Sequence, residues 1–251
     1  MEKLSEYVPS FVKKTRIYSS LSERRKGSER DTASGLYTIS KIMGLRDVFS
    51  GCDCFIIGTG PSINDTDMSL LAKKINFGVN TLFKKGLKTD FYVVHDGNMW
   101  RYNSTEILKQ PSTIFLCESA GCKYLLSGNR QNNVIAIPQC SDDVFSTDLA
   151  NGIGINASVV IVSLQIAYYL GFSEVYLVGC DSANKGHHFH PIDENAKITL
   201  RRKVDTWGRV MRQYELCKAQ FEKDGRKIYN STVGGMLEVF ERVPLEEAIK
   251  R

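Results

Sequence analysis

Six short stretches carry residue types that do chemistry, and each falls where a loop begins. Gly58-Thr59-Gly60-Pro61-Ser62 pairs glycines, which let a backbone turn sharply and approach a ligand, with two hydroxyl side chains. Amides at such a turn and at the helix start after it suit a phosphate. The spacing is neither a dinucleotide fingerprint nor a phosphate loop with lysine, and an ordinary strand-to-helix turn fits it equally. Asn80 closes Phe77-Gly-Val-Asn80 and offers an amide to a base or a ribose hydroxyl, or simply forms a turn. His95-Asp96, with Asn98, offers a carboxylate that binds a hydroxyl, orients the imidazole or caps a helix.

Gly152-Ile-Gly-Ile-Asn156-Ala-Ser158 leads into an apolar run, so Asn156 or Ser158 suits an N-cap. That geometry also presents amides to an anion. Gly179-Cys-Asp181 precedes Gly186-His187-His188-Phe-His190-Pro191, which gathers three of the four histidines. Histidine moves protons near neutral pH. Zinc is a rival use, although the spacing matches no standard ligand set, and a structural role is a third. Asn230-Ser-Thr-Val-Gly-Gly235 is a further glycine turn.

These stretches need a frame. Cys54–Gly58, Ile75–Val79, Phe91–His95, Thr113–Cys117, Val134–Ile137, Glu174–Val178 and Lys227–Tyr229 read as buried strands. Helices are expected around Met68 to Lys74, over Ala157 to Leu170, over Leu200 to Asp224 and from Pro244 onward. In the third of these, Trp207, Val210, Met211, Tyr214, Cys217 and Phe221 share one face. The alternation predicts an α/β fold: a single Rossmann-like domain over 49–251, its mainly parallel sheet covered by helices on both faces. Five of the six stretches then follow a strand and the other opens a helix, so all converge on one sheet edge.

Residues 1–48 are set apart as a basic N-terminal extension, charged between Lys13 and Asp31 and poor in large apolar groups. A solvated tail is the plain expectation, and contact with acidic lipid head groups is the other. The 251 residues are 42% hydrophobic, enough for a real core. The net charge of +5 suits an anionic substrate and gives no argument for nucleic acid. Seven cysteines without a CxxC pair read as reduced thiols. With no apolar leader or spanning segment, the expected location is the cytoplasm or the inner face of the membrane. A homo-oligomer is expected.

The order Gly-x-Gly-Pro-Ser, Val-Asn80, Asp96, the Ser158-led helix and Leu-Gly-Phe-x-Glu-Val-Tyr-Leu-Val-Gly-Cys-Asp181 resembles the motility accessory factor and 6-hydroxymethylpterin pyrophosphokinase-like family. It is also similar to the bacterial sialyltransferases of glycosyltransferase family 42. The resemblance spans about Cys52 to Glu247. It implies a CMP-activated donor at Gly58–Ser62, where the sialyltransferases carry Asn in place of Thr59. It places further donor contacts at Asn80, Asp96 and near Ser158, and the catalytic histidine at His188, with His187 and His190 close by. The family's pair of phosphate-binding tyrosines has no clear counterpart. The implied reaction moves a nonulosonic-type sugar from CMP to a glycan or protein acceptor in surface-polysaccharide biosynthesis, with no cofactor. The alternatives are ATP- and Mg²⁺-dependent pyrophosphate transfer, with Asp65, Asp67, Asp96 and Asp181 as metal candidates, and a non-catalytic nucleotide-sugar binding protein.

Overall fold

The computed structural model describes residues 37–117, 120, 121, 124, 131–137, 139, 140, 144–154, 157–182 and 206–251. Eight strands form one sheet: β1 Asp53–Ile57, β2 Asn76–Val79, β3 Phe91–Val94, β4 Thr113–Cys117, β5 Val134–Ile137, β6 Glu174–Val178, β7 Lys227–Asn230 and β8 Glu241–Arg242. Their order is β5-β4-β3-β2-β1-β6-β7-β8, and every pairing is parallel. This is the Rossmann-like α/β architecture expected from the alternation of strand and helix.

The apolar runs form strands because both faces of each are covered. On β1, Cys54 and Ile56 enter the larger core with Phe77, Val79, Phe91 and Val93, while Phe55 and Ile57 enter a second core with Tyr176 and Val178. Each such side chain contributes about 1.5–3 kcal/mol when fully buried. The larger core is roofed by α3 (Val159–Leu170) and α4 (Thr206–Lys223). All twelve residues of α3 are buried, which explains its unbroken apolar sequence. The opposite face is covered by 3-10 turns at Pro61–Asp65, Met68–Leu71 and Leu82–Lys85, by α2 (Gly97–Leu108) and by α5 (Leu245–Ala248). The helix expected at Met68 to Lys74 is therefore only a 3-10 turn. The long helix expected from Leu200 is described from Thr206.

The first helix, α1 (residues 37–43), falls at the end of the stretch set apart as residues 1–48. Its Ile39 and Ile42 are 2% and 1% exposed and belong to the larger core. Residues 37–48 therefore pack with the sheet rather than apart from it. None of the helices among the described residues is long and apolar enough to cross a membrane.

Candidate functional site at the carboxyl edge

The chain runs outward from β1 to β5, then returns to lay β6 against the other side of β1. The connections leaving β1 and β6 therefore diverge, and a crevice opens at their carboxyl ends, where open α/β sheets bind ligands. The glycine turn after β1 and the Gly179-Cys180-Asp181 corner after β6 face each other here. The Gly58 amide donates to the Val178 carbonyl at 2.7 Å and the Gly60 amide to the Gly179 carbonyl at 2.9 Å. Asp181 completes the lock: its Oδ1 accepts from the Ser62 amide at 3.1 Å and its Oδ2 from the Ser62 hydroxyl at 2.8 Å.

This geometry corrects one expectation. The turn does not offer a row of free amides, because those of Gly58, Gly60 and Ser62 donate within the protein. The glycines serve close approach instead. A Cβ on Gly58 would lie 2.4 Å from the Gly179 carbonyl oxygen, and one on Gly60 would lie 1.8 Å from Asp181 Oδ2. Thr59 and Ser62 are buried, at 7% and 6% exposure. Pro61 opens only a five-residue 3-10 turn.

The second glycine stretch is also tied down. Gln165, a fully buried polar residue in the middle of α3, accepts from the amides of Ser146 and Gly154 at 3.0 and 3.1 Å. Such a residue inside an apolar helix is a legible sign that it holds a loop. The third clasps the β6 corner. Thr232 Oγ1 accepts from the Cys180 amide at 3.0 Å, and the Met236 amide donates to the Asp181 carbonyl at 2.7 Å. Burial, then the Asp181 charge, pushes the Cys180 thiol up to about 12, so it stays protonated and is no nucleophile.

The polar edge lies on either side of this lock. Ser158 is the N-cap of α3, accepting from the Val160 amide at 3.3 Å. Asp96 is the N-cap of α2, its Oδ1 accepting from the amides of Asn98 and Met99 at 2.6 and 3.4 Å. Both twelve-residue helices thus start at this edge, on opposite faces of the sheet, and bring partial positive charge to it. His95 precedes Asp96 at the end of β3.

Asn80 follows β2, and Gly78 of that strand is registered with Ile57, so Asn80 and Thr59 each stand two residues beyond paired positions. Asn80 adopts a left-handed backbone, φ 48°. The Tyr92 hydroxyl fixes it by donating to the Asn80 carbonyl at 2.7 Å while accepting from the Phe83 amide at 3.1 Å. The Asn80 Oδ1 atom is buried and has no hydrogen-bond partner. Ser231 Oγ, just past β7, is in the same condition. Asn156, His187, His188 and His190 lie outside the described residues.

Sequence reasoning missed the support from α4. Gln213 Oε1 accepts from the Ala157 amide at 2.8 Å. The Tyr214 ring is buried and meets Phe240 edge-on at 5.6 Å, and that burial raises its hydroxyl well above the ordinary phenol range. Both residues sit on an amphipathic face, so the pattern registers them as helix and gives no sign of their reach. Away from the edge, a cavity of about 390 Å³ is lined by Arg46, Asp47, Tyr168, Tyr169, Asp224 and Arg226 among others. None of the residues singled out from the sequence lines it, and two of its cations are paired, Arg46 with Asp148 and Arg226 with Asp47.

A family model described as 6-hydroxymethylpterin diphosphokinase MptE-like matches residues 32–187, more than half of the chain. The chain belongs to this family. Members are described by likeness to a diphosphokinase, and the match leaves this chain's substrates open. Among solved structures, the fold is similar to that of the sialyltransferase CstII from Campylobacter jejuni, described in complex with a substrate analogue, cytidine-5'-monophosphate. The TM-score is 0.52 at 13% identity, over 79% of this chain and 87% of that one. That likeness is one of fold. Comparison with curated proteins gives no significant match.

Proposed function

We propose that this chain is a transferase that holds a nucleotide-activated donor across the carboxyl edge between β6 and β3, and that the donor is a CMP-linked sugar of the nonulosonic type. The observation that carries the reading is the buried Asn80 Oδ1 with no protein donor. An unsatisfied buried acceptor costs about 1–3 kcal/mol, and a bound nucleotide removes that cost by supplying an amine or hydroxyl proton. In this reading Thr59, Asn80, His95 and Asp96 contact the donor, and the N-terminus of α3 at Ser158 faces its departing phosphate. The solved sialyltransferase of the same fold, bound to cytidine monophosphate, supports cytidine as the base.

In this reading a histidine of the 187–190 segment, His188 first, takes the proton from the acceptor hydroxyl. The acceptor oxygen bonds the sugar's anomeric carbon as the bond from that carbon to the phosphate oxygen breaks. CMP leaves with the electron pair. The acceptor is a glycan or protein hydroxyl, and surface-polysaccharide assembly at the inner face of a membrane is the setting that fits it.

The family match favours a second reading, diphosphate transfer from ATP with Mg²⁺. The carboxylates available for the ion do not fit a shared site. Asp67 accepts from the amide and hydroxyl of Ser69 within its own turn, Asp96 caps α2, and both oxygens of Asp181 hold Ser62. No cluster of three or more metal-binding side chains occurs among the described residues.

Thermal unfolding separates the two readings. CMP alone, at ~100 times its dissociation constant, should add about 2.7 kcal/mol of stability. His188→Ala should keep that gain and lose turnover, while Asn80→Ala should lose most of the gain. Stabilisation by ATP only when Mg²⁺ is present, with none by CMP, would overturn sugar transfer in favour of the kinase reading.

A further inference from the structure

At the end of α3 away from Ser158 lies the cavity of about 390 Å³, within the ~300–1,000 Å³ of small-molecule sites. Its wall is built on two consecutive tyrosines of the last turn of α3, and a guanidinium sits on each ring. Arg46 lies over Tyr169, 4.5 Å from the ring centroid, and Arg226 over Tyr168 at 4.7 Å. A ring face under a guanidinium limits the wandering of a long side chain and leaves its N–H donors available.

The donors on this wall outnumber the acceptors left for them. Each arginine has five N–H groups and Lys223 has three. Arg226 Nη1 donates to the Tyr168 carbonyl at 2.6 Å, but its Nη2 stands 3.6 Å from Asp47, too far for a hydrogen bond. Arg46 has the Asp148 carboxylate at 3.1 Å on one side. Lys223 makes no ion pair among the described residues. The other carboxylate of the wall, Asp224, already takes the Tyr168 hydroxyl and, at 3.4 Å, the Gln220 amide. Tyr169 is 2% exposed and its hydroxyl has no hydrogen-bond partner. Burial raises that hydroxyl above the ordinary phenol value, so it stays a donor.

We propose that this cavity is a second binding site, for a small ligand carrying an oxyanion, a phosphate or a carboxylate, held by Arg46, Lys223 and Arg226. An oxyanion brings only acceptors, the kind of atom this wall lacks, and guanidinium forks take its oxygens in pairs. A cationic ligand would meet three cationic side chains against the two carboxylates of Asp47 and Asp224. The proposal is independent of the donor reading, because none of these residues belongs to the crevice.

Inorganic phosphate and glucuronate are the probes, one for each oxyanion, with glucose as the uncharged control and chloride holding the ionic strength constant. Backbone NMR of the full chain should show saturable shifts centred on Arg46, Tyr168, Tyr169, Lys223 and Arg226, with a dissociation constant on the order of 1 mM. Tighter binding of phosphate would assign a phosphorylated ligand, and tighter binding of glucuronate a carboxylate; either supports the site. Arg46→Gln and Lys223→Gln alter side chains that are half or fully exposed, so the fold should tolerate both. Each should weaken the bound anion about tenfold. Arg226 is left intact because it also caps the end of α3. No saturable shift with either anion, shifts centred on Gly58–Ser62 instead, an equal response to glucose, or unchanged affinity in both variants would overturn the proposal. CMP binding is read separately: its absence would sink the donor reading and leave this site standing.

Discussion

At the scale of single residues, the glycine turn works by contact rather than by open amides. Gly60 has the least room: a methyl group there would meet Asp181 Oδ2 at 1.8 Å and the Gly179 carbonyl oxygen at 2.8 Å. Asp181 cannot swing away without giving up both bonds to Ser62. Gly60→Ala should therefore destabilise the fold by about 2–4 kcal/mol, read from urea denaturation. Deleting the carboxylate with Asp181→Ala relieves only the first clash. The backbone contact with Gly179 persists, so the double variant should regain part of the loss and no more. Equal stability of Gly60→Ala and wild type would show that the β1 and β6 loops do not abut as described. The sequence made Gly58, Gly60 and Asp181 legible as special positions. It could not show that they are special to one another, since 119 residues separate Ser62 from Asp181. The same limit hid Gln213, whose partner Ala157 lies outside α4.

At the scale of elements, seven of the eight strands were legible because burial on both faces writes an apolar run. β8, only Glu241–Arg242, has both residues exposed and so writes no such run. Helix α2 was missed for a related reason. Gly97-Asn-Met-Trp-Arg-Tyr-Asn-Ser-Thr-Glu-Ile-Leu buries only Gly97, Trp100 and Ile107, and its middle is rich in weak helix formers. Asp96 was weighed as a helix cap, and capping is what it does. The pairing of β1 with β6 carries a prediction. Asp53 is registered with Glu174, and burial, then the Glu174 charge, raises the Asp53 carboxyl above its ordinary value. A raised carboxyl means that folding disfavours its charged form. That cost is complete at neutral pH and disappears as pH falls through the folded and then the unfolded titration. Asp53→Asn should therefore stabilise at pH 7 by a few tenths of a kcal/mol, since most of the carboxylate faces solvent. The gain should vanish below about pH 4. Urea midpoints of the two proteins at pH 7 and pH 3.5 test this, and a gain that grows in acid would contradict the sign.

At the scale of the whole molecule, the two edges of the sheet do different work. The carboxyl edge gathers the N-termini of α2 and α3 and the lock between Asp181 and Ser62. The amino edge is closed by α1 and the segment after it. Lys41 Nζ donates to the Asn132 carbonyl at 2.6 Å beside β5, and the Asp47 and Phe49 amides donate to the Tyr169 and Leu170 carbonyls at the far end of α3. Phe49 stacks on Phe172 at 4.9 Å. Ile39 and Ile42 anchor this closure in the larger core. Removing the Ile42 side chain beyond Cβ leaves a cavity under α1, so Ile42→Ala should cost about 2–4 kcal/mol of stability. None of the contacts described at the crevice runs through Ile42, so the folded variant should bind CMP as the wild type does. Urea denaturation and calorimetric titration of wild type and Ile42→Ala measure stability and affinity separately. A loss of CMP affinity in Ile42→Ala would mean that α3 transmits strain along its full length, and that the two edges act as one unit.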